Sequence, residues 1–323
     1  FFFKQKTAYE IRNCDWSSDV CSSDLGLTGK RRSVRQIFKI YLNVYKMSVK
    51  KVKVGSIECG ADSLFLISGP CVIEAESIML KTAEELKKIS ERLGVYVIYK
   101  SSFLKDNRSS LSYYQGPGLD EGLKILARIK KDFGFPILTD IHYPDQAKPV
   151  GEVCDVLQIP AYLCMQSGLL VAAAQAGKVI NIKHGQFLAP ENMKHPVGKC
   201  VDAGNDQIIL TERGYTMGYN DLIVDPRAFY HMGKLGYPVV FDITHSIRKY
   251  GIPSADSKGG AREFLPVLSR AGVAAGVDGV FIEVHPDRQY PWDIHAFQPN
   301  QCVTFRLRGY KWIRLHLRCP FLI

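Results

Sequence analysis

The chain has 323 residues, 46% of them apolar and 23% charged, with a formal net charge of +10. That length suits one large α/β domain with extensions, and no apolar run approaches the roughly 18 residues needed to span a membrane. A charge of this size would suggest nucleic acid or an anionic surface as a partner, but its distribution argues against both: residues 1–46 carry nine Lys/Arg against four acids, residues 288–323 carry six against Asp293 alone, and residues 47–287 hold 27 of each sign.

Residues 1–25 show no sustained period of 2 or 3.6 and read like translated sequencing adapter. They lack the apolar core and cleavage site of a secretory signal. Residues 1–46 are therefore expected to be a non-native or disordered extension, with Met47 as the true start. The run 52–57, followed by Glu58, is expected to form a hairpin strand closing the bottom of a barrel.

Eight short apolar runs make up that barrel, each leading to a residue that can carry chemistry. In order, 64–69 leads to Cys71, 95–99 to Lys100, 137–139 to Asp140 and 154–157 to Gln158. Then 179–182 leads to Lys183, 208–212 to Arg213, 239–244 to His245 and 280–282 to Glu283. Val-, Ile- and Leu-rich strands separated by helix-length segments indicate a parallel sheet buried on both faces. Eight such units make a TIM (β/α)8 barrel, whose catalytic groups sit at the C-terminal ends of its strands. Helical patterns cover 77–93, 119–133, 144–153, 168–176, 226–235 and 262–275. After Asp287 the sequence offers two prolines and no helical stripe where the eighth helix belongs. That helix is expected to be missing, and residues 288–323 to be an anomalous basic tail left by a frameshift. The barrel domain is thus expected over 47–287. Its five cysteines, of nine in the chain, are odd in number and have no disulfide-like spacing, which suits a reducing cytoplasm.

The densest polar cluster is the loop after the second barrel strand, with Lys100, Ser102, Lys105, Asn107, Arg108 and Ser109. Two lysines, an arginine and several hydroxyls can cradle phosphate through charge-assisted hydrogen bonds; they can equally line a solvated loop. Lys183 and Arg213 at other strand ends tip the balance, because clustered buried cations require anions to offset them. A ligand with more than one anionic group is the simplest explanation. Singly, a buried Cys or a lone His is more often structural. Cys71, His245 and Glu283, however, all end strands of one barrel and can converge at its top. Thiolate, imidazole and carboxylate together suit a borderline divalent ion such as Zn2+, Fe2+ or Mn2+.

The runs KSSFLKDNRSS (100–110), TDIH (139–142), LQIPAYL (157–163), NIKHGQF (181–187), TERGYTMGYNDLIVD (211–225), FDITH (241–245) and FIEVHPD (281–287) resemble the 3-deoxy-D-manno-octulosonate 8-phosphate synthases. The resemblance covers nearly all of 47–287 in order. It implies condensation of phosphoenolpyruvate with D-arabinose 5-phosphate and water, releasing phosphate, on a cytoplasmic homotetramer serving lipopolysaccharide synthesis. Carried over by position, Lys100, Ser102, Lys105, Gln158, Lys183 and Arg213 would hold phosphoenolpyruvate. Asn107, Arg108, Ser109 and Asp140 would hold the sugar phosphate. Cys71 matches the metal-dependent branch, in which Cys71, His245 and Glu283 would bind an ion that orients the aldehyde or the attacking water. A fourth ligand, an Asp beyond the HPD motif, has only Asp293 as a candidate. Met165 stands where the family has an arginine that reaches a neighbouring subunit's sugar phosphate. The alternatives are the related 3-deoxy-arabino-heptulosonate 7-phosphate synthase, and a barrel that binds phosphorylated ligands without catalysis. Nucleic acid and membrane are not expected partners. His142 and His184 lie near the site, with a structural role at least as plausible for each.

Overall fold

The Val-, Ile- and Leu-rich runs become strands with both faces buried, and they close on one another. A computed structural model of the chain describes residues 48–218, 221–252 and 257–286, plus the backbone of two strands farther on. The barrel strands are β3 (Phe65–Gly69), β4 (Tyr96–Lys100), β5 (Ile137–Asp140), β6 (Val156–Ile159), β7 (Val179–Lys183), β8 (Ile208–Glu212), β11 (Val239–Asp242) and β12 (Gly279–Glu283). All pair in parallel in chain order, and β12 returns to β3 through Phe65↔Gly279 to Gly69↔Glu283. The expected (β/α)8 barrel is present, with its eight strand ends at one mouth.

Crossover helices follow their periodicity. Helix α1 (Glu76–Leu93) buries Met79, Thr82, Ala83, Leu86 and Ile89, one stripe of a 3.6-residue period, and stops at Gly94, whose φ of 64° gives a left-handed cap. Helix α2 (Leu119–Phe133) likewise buries Leu123, Ile125, Leu126 and Ile129. The 144–153 pattern divides into a 3-10 turn (Pro144–Gln146) and α3 (Ala147–Val153), and the 168–176 pattern is α4 (Ser167–Gln175). Helix α5 (Lys194–Asp202) was not anticipated. Its Pro196 sits in the first turn, where the missing N–H has no intrahelical acceptor to lose. The 226–235 pattern yields α6 (Arg227–Gly233), a single turn α7 (Ile243–Ser246) comes after β11, and 262–275 gives a 3-10 turn followed by α8 (Leu265–Ala275).

At the bottom, β1 (Val52–Val54) and β2 (Ile57–Cys59) form an antiparallel hairpin. Val52, Val54, Ile57 and Cys59 pack in one buried cluster with the inward side chains Phe65, Ile67, Ile98, Leu138, Val156, Ile209, Val240 and Phe281. Each full burial of such a side chain contributes about 1.5–3 kcal/mol. The hairpin is therefore the plug that the 52–57 run suggested. A second, larger apolar cluster fills the space between strands and helices. Short strands β9 (Tyr215–Thr216) and β10 (Leu222–Ile223) pair beside the mouth.

After β12 the described backbone is an antiparallel hairpin, β13 (Cys302–Arg306) with β14 (Trp312–His316). Residues 1–47 and 287–301, Asp293 among them, lie outside the described residues. So do the expectations of an N-terminal extension and of a fourth ligand there. Among the described residues no helix is long and apolar enough to cross a membrane. Cys59, Cys71, Cys154, Cys164 and Cys200 are all buried, and none of them is in a disulfide.

Candidate active site

Polar residues at or just beyond the C-terminal ends of the barrel strands line one cleft of about 720 Å3, its opening to solvent included. Lys100, Lys105, Asn107, Arg108, Asp140 and Gln158 line one side. Cys71, Lys183, Arg213, His245 and Glu283 line the rest. Ser102 lies beneath, its hydroxyl donating to Asp140 Oδ2 at 2.8 Å. Ser109 is exposed on the loop and does not reach the cleft wall.

Four cations are almost wholly buried here: Lys100, Lys105, Lys183 and Arg213 are 1%, 8%, 5% and 4% exposed. Buried charge must be paired, and three strand-end carboxylates do part of that. Lys100 Nζ lies 3.3 Å from Glu283 Oε1 and 3.8 Å from Asp140 Oδ1, and donates to the Cys71 carbonyl. Lys105 Nζ lies 3.5 Å from Asp140 Oδ2. Gln158 donates to Asp140 Oδ1 at 2.7 Å. Burial alone would push Asp140 up and Lys105 down. The lysines overcome it for Asp140, holding that carboxyl well below its usual range. Cys71, Asp140 and Glu283 overcome it for Lys105, holding the ammonium above its ordinary value.

Asp242, the last residue of β11, organises the opposite side. Its Oδ2 accepts from Lys183 Nζ and lies 2.7 Å from His245 Nδ1, while Oδ1 accepts from the His245 amide at 2.9 Å and from Thr244 Oγ1 at 3.1 Å. Together these hold its carboxyl well below the usual range despite complete burial. His245 itself stands on the one-turn helix α7 that Asp242 caps. Burial outweighs Asp242 and Glu283 and keeps the imidazole below its ordinary value, while it also lowers Lys183 against the pull of Asp242. The ring of Phe281 forms the floor, 4.0 Å from Lys183 Nζ and 5.5 Å from Lys100 Nζ. Cation–π contact at these distances offers both ammoniums a partner that is not a carboxylate.

The mouth carries thiol, imidazole and carboxylate side chains, the donor types that a borderline divalent ion takes. Asp242 on Nδ1 fixes the imidazole so that Nε2 faces inward, the arrangement by which a carboxylate commonly orients a metal-binding histidine. Nε2 lies 3.6 Å from Glu283 Oε1, close to the roughly 3.4 Å between two donors about 2.1 Å from one tetrahedral Zn2+. Glu283 Oε2 is buried without a hydrogen-bond partner, and Cys71 is part of the same wall. Among the described residues, no three His, Cys, Asp or Glu side chains form a closed metal-binding group.

Several residues that shape the cleft were not singled out from sequence. Asp242 is one, because the apolar run 239–244 was read through it to His245, whereas β11 ends at Asp242. Gln186, Arg248, Tyr250 and Tyr162 also line the cleft. The Tyr250 hydroxyl oxygen accepts from Arg213 Nη1 at 2.7 Å and Gln186 Nε2 at 2.6 Å. Met165 packs against the apolar core. His184 is buried off the cleft, its Nδ1 3.2 Å from Glu212 Oε2 and its Nε2 2.6 Å from the Leu188 carbonyl oxygen. His142 is buried behind Asp140, its amide held by Gln146 at 2.8 Å. Both are structural in placement.

Comparison with known proteins agrees with this architecture. Residues 44–303 match the DAHP synthetase I family. The 2-dehydro-3-deoxyphosphooctonate aldolase of Trichlorobacter lovleyi is 53% identical over 239 residues, covering 74% of this chain and 88% of the relative. Those of Geobacter sp. strain M21 (52%, 74% and 87%) and Fusobacterium nucleatum (52%, 78% and 90%) are alike to a similar degree. With the family match spanning most of its length and half of the aligned residues shared with these aldolases, the chain belongs to the DAHP synthetase I family.

Proposed function

We propose that the protein condenses phosphoenolpyruvate with D-arabinose 5-phosphate and water to give 3-deoxy-D-manno-octulosonate 8-phosphate and phosphate, the committed sugar acid of lipopolysaccharide. The observation that carries this reading is the cleft's surplus of buried cations: Lys100, Lys105, Lys183 and Arg213 outnumber Asp140, Asp242 and Glu283. A buried excess of positive charge is relieved by anionic ligands, and two phosphorylated substrates supply them. The relatives' shared name denotes this same condensation. It favours arabinose 5-phosphate over the erythrose 4-phosphate of the heptulosonate synthases.

In this reading Lys100, Lys105, Gln158, Lys183 and Arg213 hold phosphoenolpyruvate, with Ser102 steadying Asp140 beneath it. Asn107 and Arg108 take the sugar phosphate, and Asp140 its hydroxyls. C3 of the enol attacks the aldehyde carbon, water adds to C2, and C–O cleavage expels phosphate. Positioning and fixed positive charge around the reacting atoms supply most of the acceleration. Cys71, His245 and Glu283 would hold a divalent ion (Zn2+, Fe2+ or Mn2+), which when bound supplies a Lewis acid for the aldehyde oxygen or the water. Five buried cysteines outside any disulfide support a cytoplasmic location, and the family resemblance supports a homotetramer, which light scattering tests.

Phosphate release measured with phosphoenolpyruvate and each sugar side by side decides the reading. Arabinose 5-phosphate is expected to be the preferred acceptor. A higher kcat/KM with erythrose 4-phosphate would overturn it. Exhaustive chelation is expected to abolish turnover and Zn2+, Fe2+ or Mn2+ to restore it; full activity after chelation removes the ion from the proposal.

A further inference from the structure

Arg213 and Arg248 approach one aromatic ring. The guanidinium carbons lie 5.9 and 5.4 Å from the centroid of Tyr250. Both line the cleft, and among the described residues neither forms an ion pair with a carboxylate. Arg248 Nε is buried and has no hydrogen-bond partner. Its backbone is fixed: the Arg248 amide donates to the His245 carbonyl, residue 248 bridges Gly260, and the Ala261 amide donates to the Ile247 carbonyl. Two guanidiniums without a carboxylate partner among the described residues, both near one ring at the mouth of the barrel, are suited to an anion.

The Tyr250 hydroxyl oxygen accepts from two sides, from Arg213 Nη1 and from Gln186 Nε2. A phenol oxygen has two lone pairs, so these two donors fill them and hold the ring in place. Tyr250 thereby holds Arg213 by hydrogen bond and lies within cation–π distance of Arg248, and both arginines line the same cleft. A guanidinium fork matches the paired oxygens of a phosphate group.

We infer that Arg248 is a further substrate-binding residue, a second guanidinium beside Arg213 for the phosphate group of one of the two substrates, and that Tyr250 is the positioning residue aligning the two. This rests on the proposed condensation for the identity of the ligands, though the phosphate chemistry stands on the geometry alone. The phosphate could belong to the enolpyruvate or to the sugar, and steady-state kinetics separates them.

The test uses the full chain and inorganic phosphate, titrated calorimetrically at constant ionic strength, with wild type and Arg248→Gln compared. Phosphate is expected to bind at least ten-fold more weakly to the variant. In steady-state assays the KM of one phosphorylated substrate should rise by a similar factor, with kcat changed far less; whichever KM moves names the owner of the phosphate. Arg248→Lys keeps the charge but loses the fork and should recover only part of the affinity. It also serves where Arg248→Gln does not fold. Tyr250→Phe keeps the ring but frees Arg213, so it should weaken phosphate binding less than loss of Arg248. Phosphate affinity and both KM values within two-fold of wild type in the Arg248 variants would overturn the inference, as would failure of the wild type to bind phosphate. Phosphate binding that depends on Arg248 in a protein that turns over neither sugar would instead sink the proposed reaction and leave this subsite standing.

Discussion

Asp242→Asn is the sharpest single perturbation of the cleft. The carboxylate is fully buried and serves four donors, with Lys183 Nζ and His245 Nδ1 sharing Oδ2. An amide of the same shape keeps one acceptor oxygen but loses the charge. If that oxygen stays with Thr244 and the His245 amide, an NH2 group faces an ammonium and a ring N–H. Removing one partner of a buried ion pair typically costs about 3–5 kcal/mol. Lys183 is already lowered by burial, so it can shed its proton and recover part of that cost. In a domain of this size each kcal/mol moves the melting temperature by about 2–4 °C, so a fall of at least about 6 °C is expected by circular dichroism at neutral pH. The sign of the pH dependence is fixed as well. Asp242 is depressed below its ordinary 3.8 in the folded state, so its contribution is complete above the ordinary carboxylate range and is lost as pH falls toward the folded value. The wild-type advantage should therefore narrow in acid. A melting temperature within 2 °C of wild type at neutral pH would refute the view that Asp242 is the anchor of this side of the cleft.

Other outcomes rest on the same geometry. Gly69→Ala would drive a methyl group into the Lys100 carbonyl at the end of β4, parting the strands by roughly 1 Å; misplacement on that scale can cost about 100-fold, read as kcat/KM for phosphate release with the fold intact by circular dichroism. Retained activity within two-fold would show that Lys100 needs no such close registration. Burial pushes the Cys59, Cys154 and Cys200 thiols up to about 12, and only the thiolate reacts. Iodoacetamide at pH 8 should therefore leave these three unlabelled in the native protein and label them after unfolding, as peptide mass spectrometry would report. Phe281→Leu removes the ring beneath Lys100 and Lys183 and leaves a gap in the lower core, which should cost about 1–3 kcal/mol in urea unfolding; no loss would mean that neighbouring side chains close over the gap.

Much of this was legible because a parallel barrel writes itself locally. Each strand is a short apolar run, and its final polar residue must emerge at the mouth, so Lys100, Asp140, Gln158, Lys183, Arg213 and Glu283 could be placed by counting. The 52–57 plug was legible for the same reason. The failures came where one signal masked another. Ile243 and Thr244 continue the apolar character of β11, although the backbone has already turned into α7, and Asp242 was hidden inside the run. Helix α5 is nine residues long and carries Pro196 in its first turn, so its periodic signal is short. The Arg213–Tyr250–Gln186 arrangement joins the loops that follow three different strands, and such non-local hydrogen bonding leaves no periodic trace. Ser109 had the right chemistry in the right loop but points to solvent, a matter of one residue's turn within a polar stretch.

The hairpin at the base has a consequence for how this barrel can change. Its side chains and the lower rungs of the strands form a dry, apolar half, and Phe281 is the tile on which the charged half stands. Durability and chemistry are thus housed on separate storeys of the same eight strands. Substitutions in the lower storey could be screened for heat resistance alone, while acceptor preference is tuned above, and only residues at the landing between them would force a compromise.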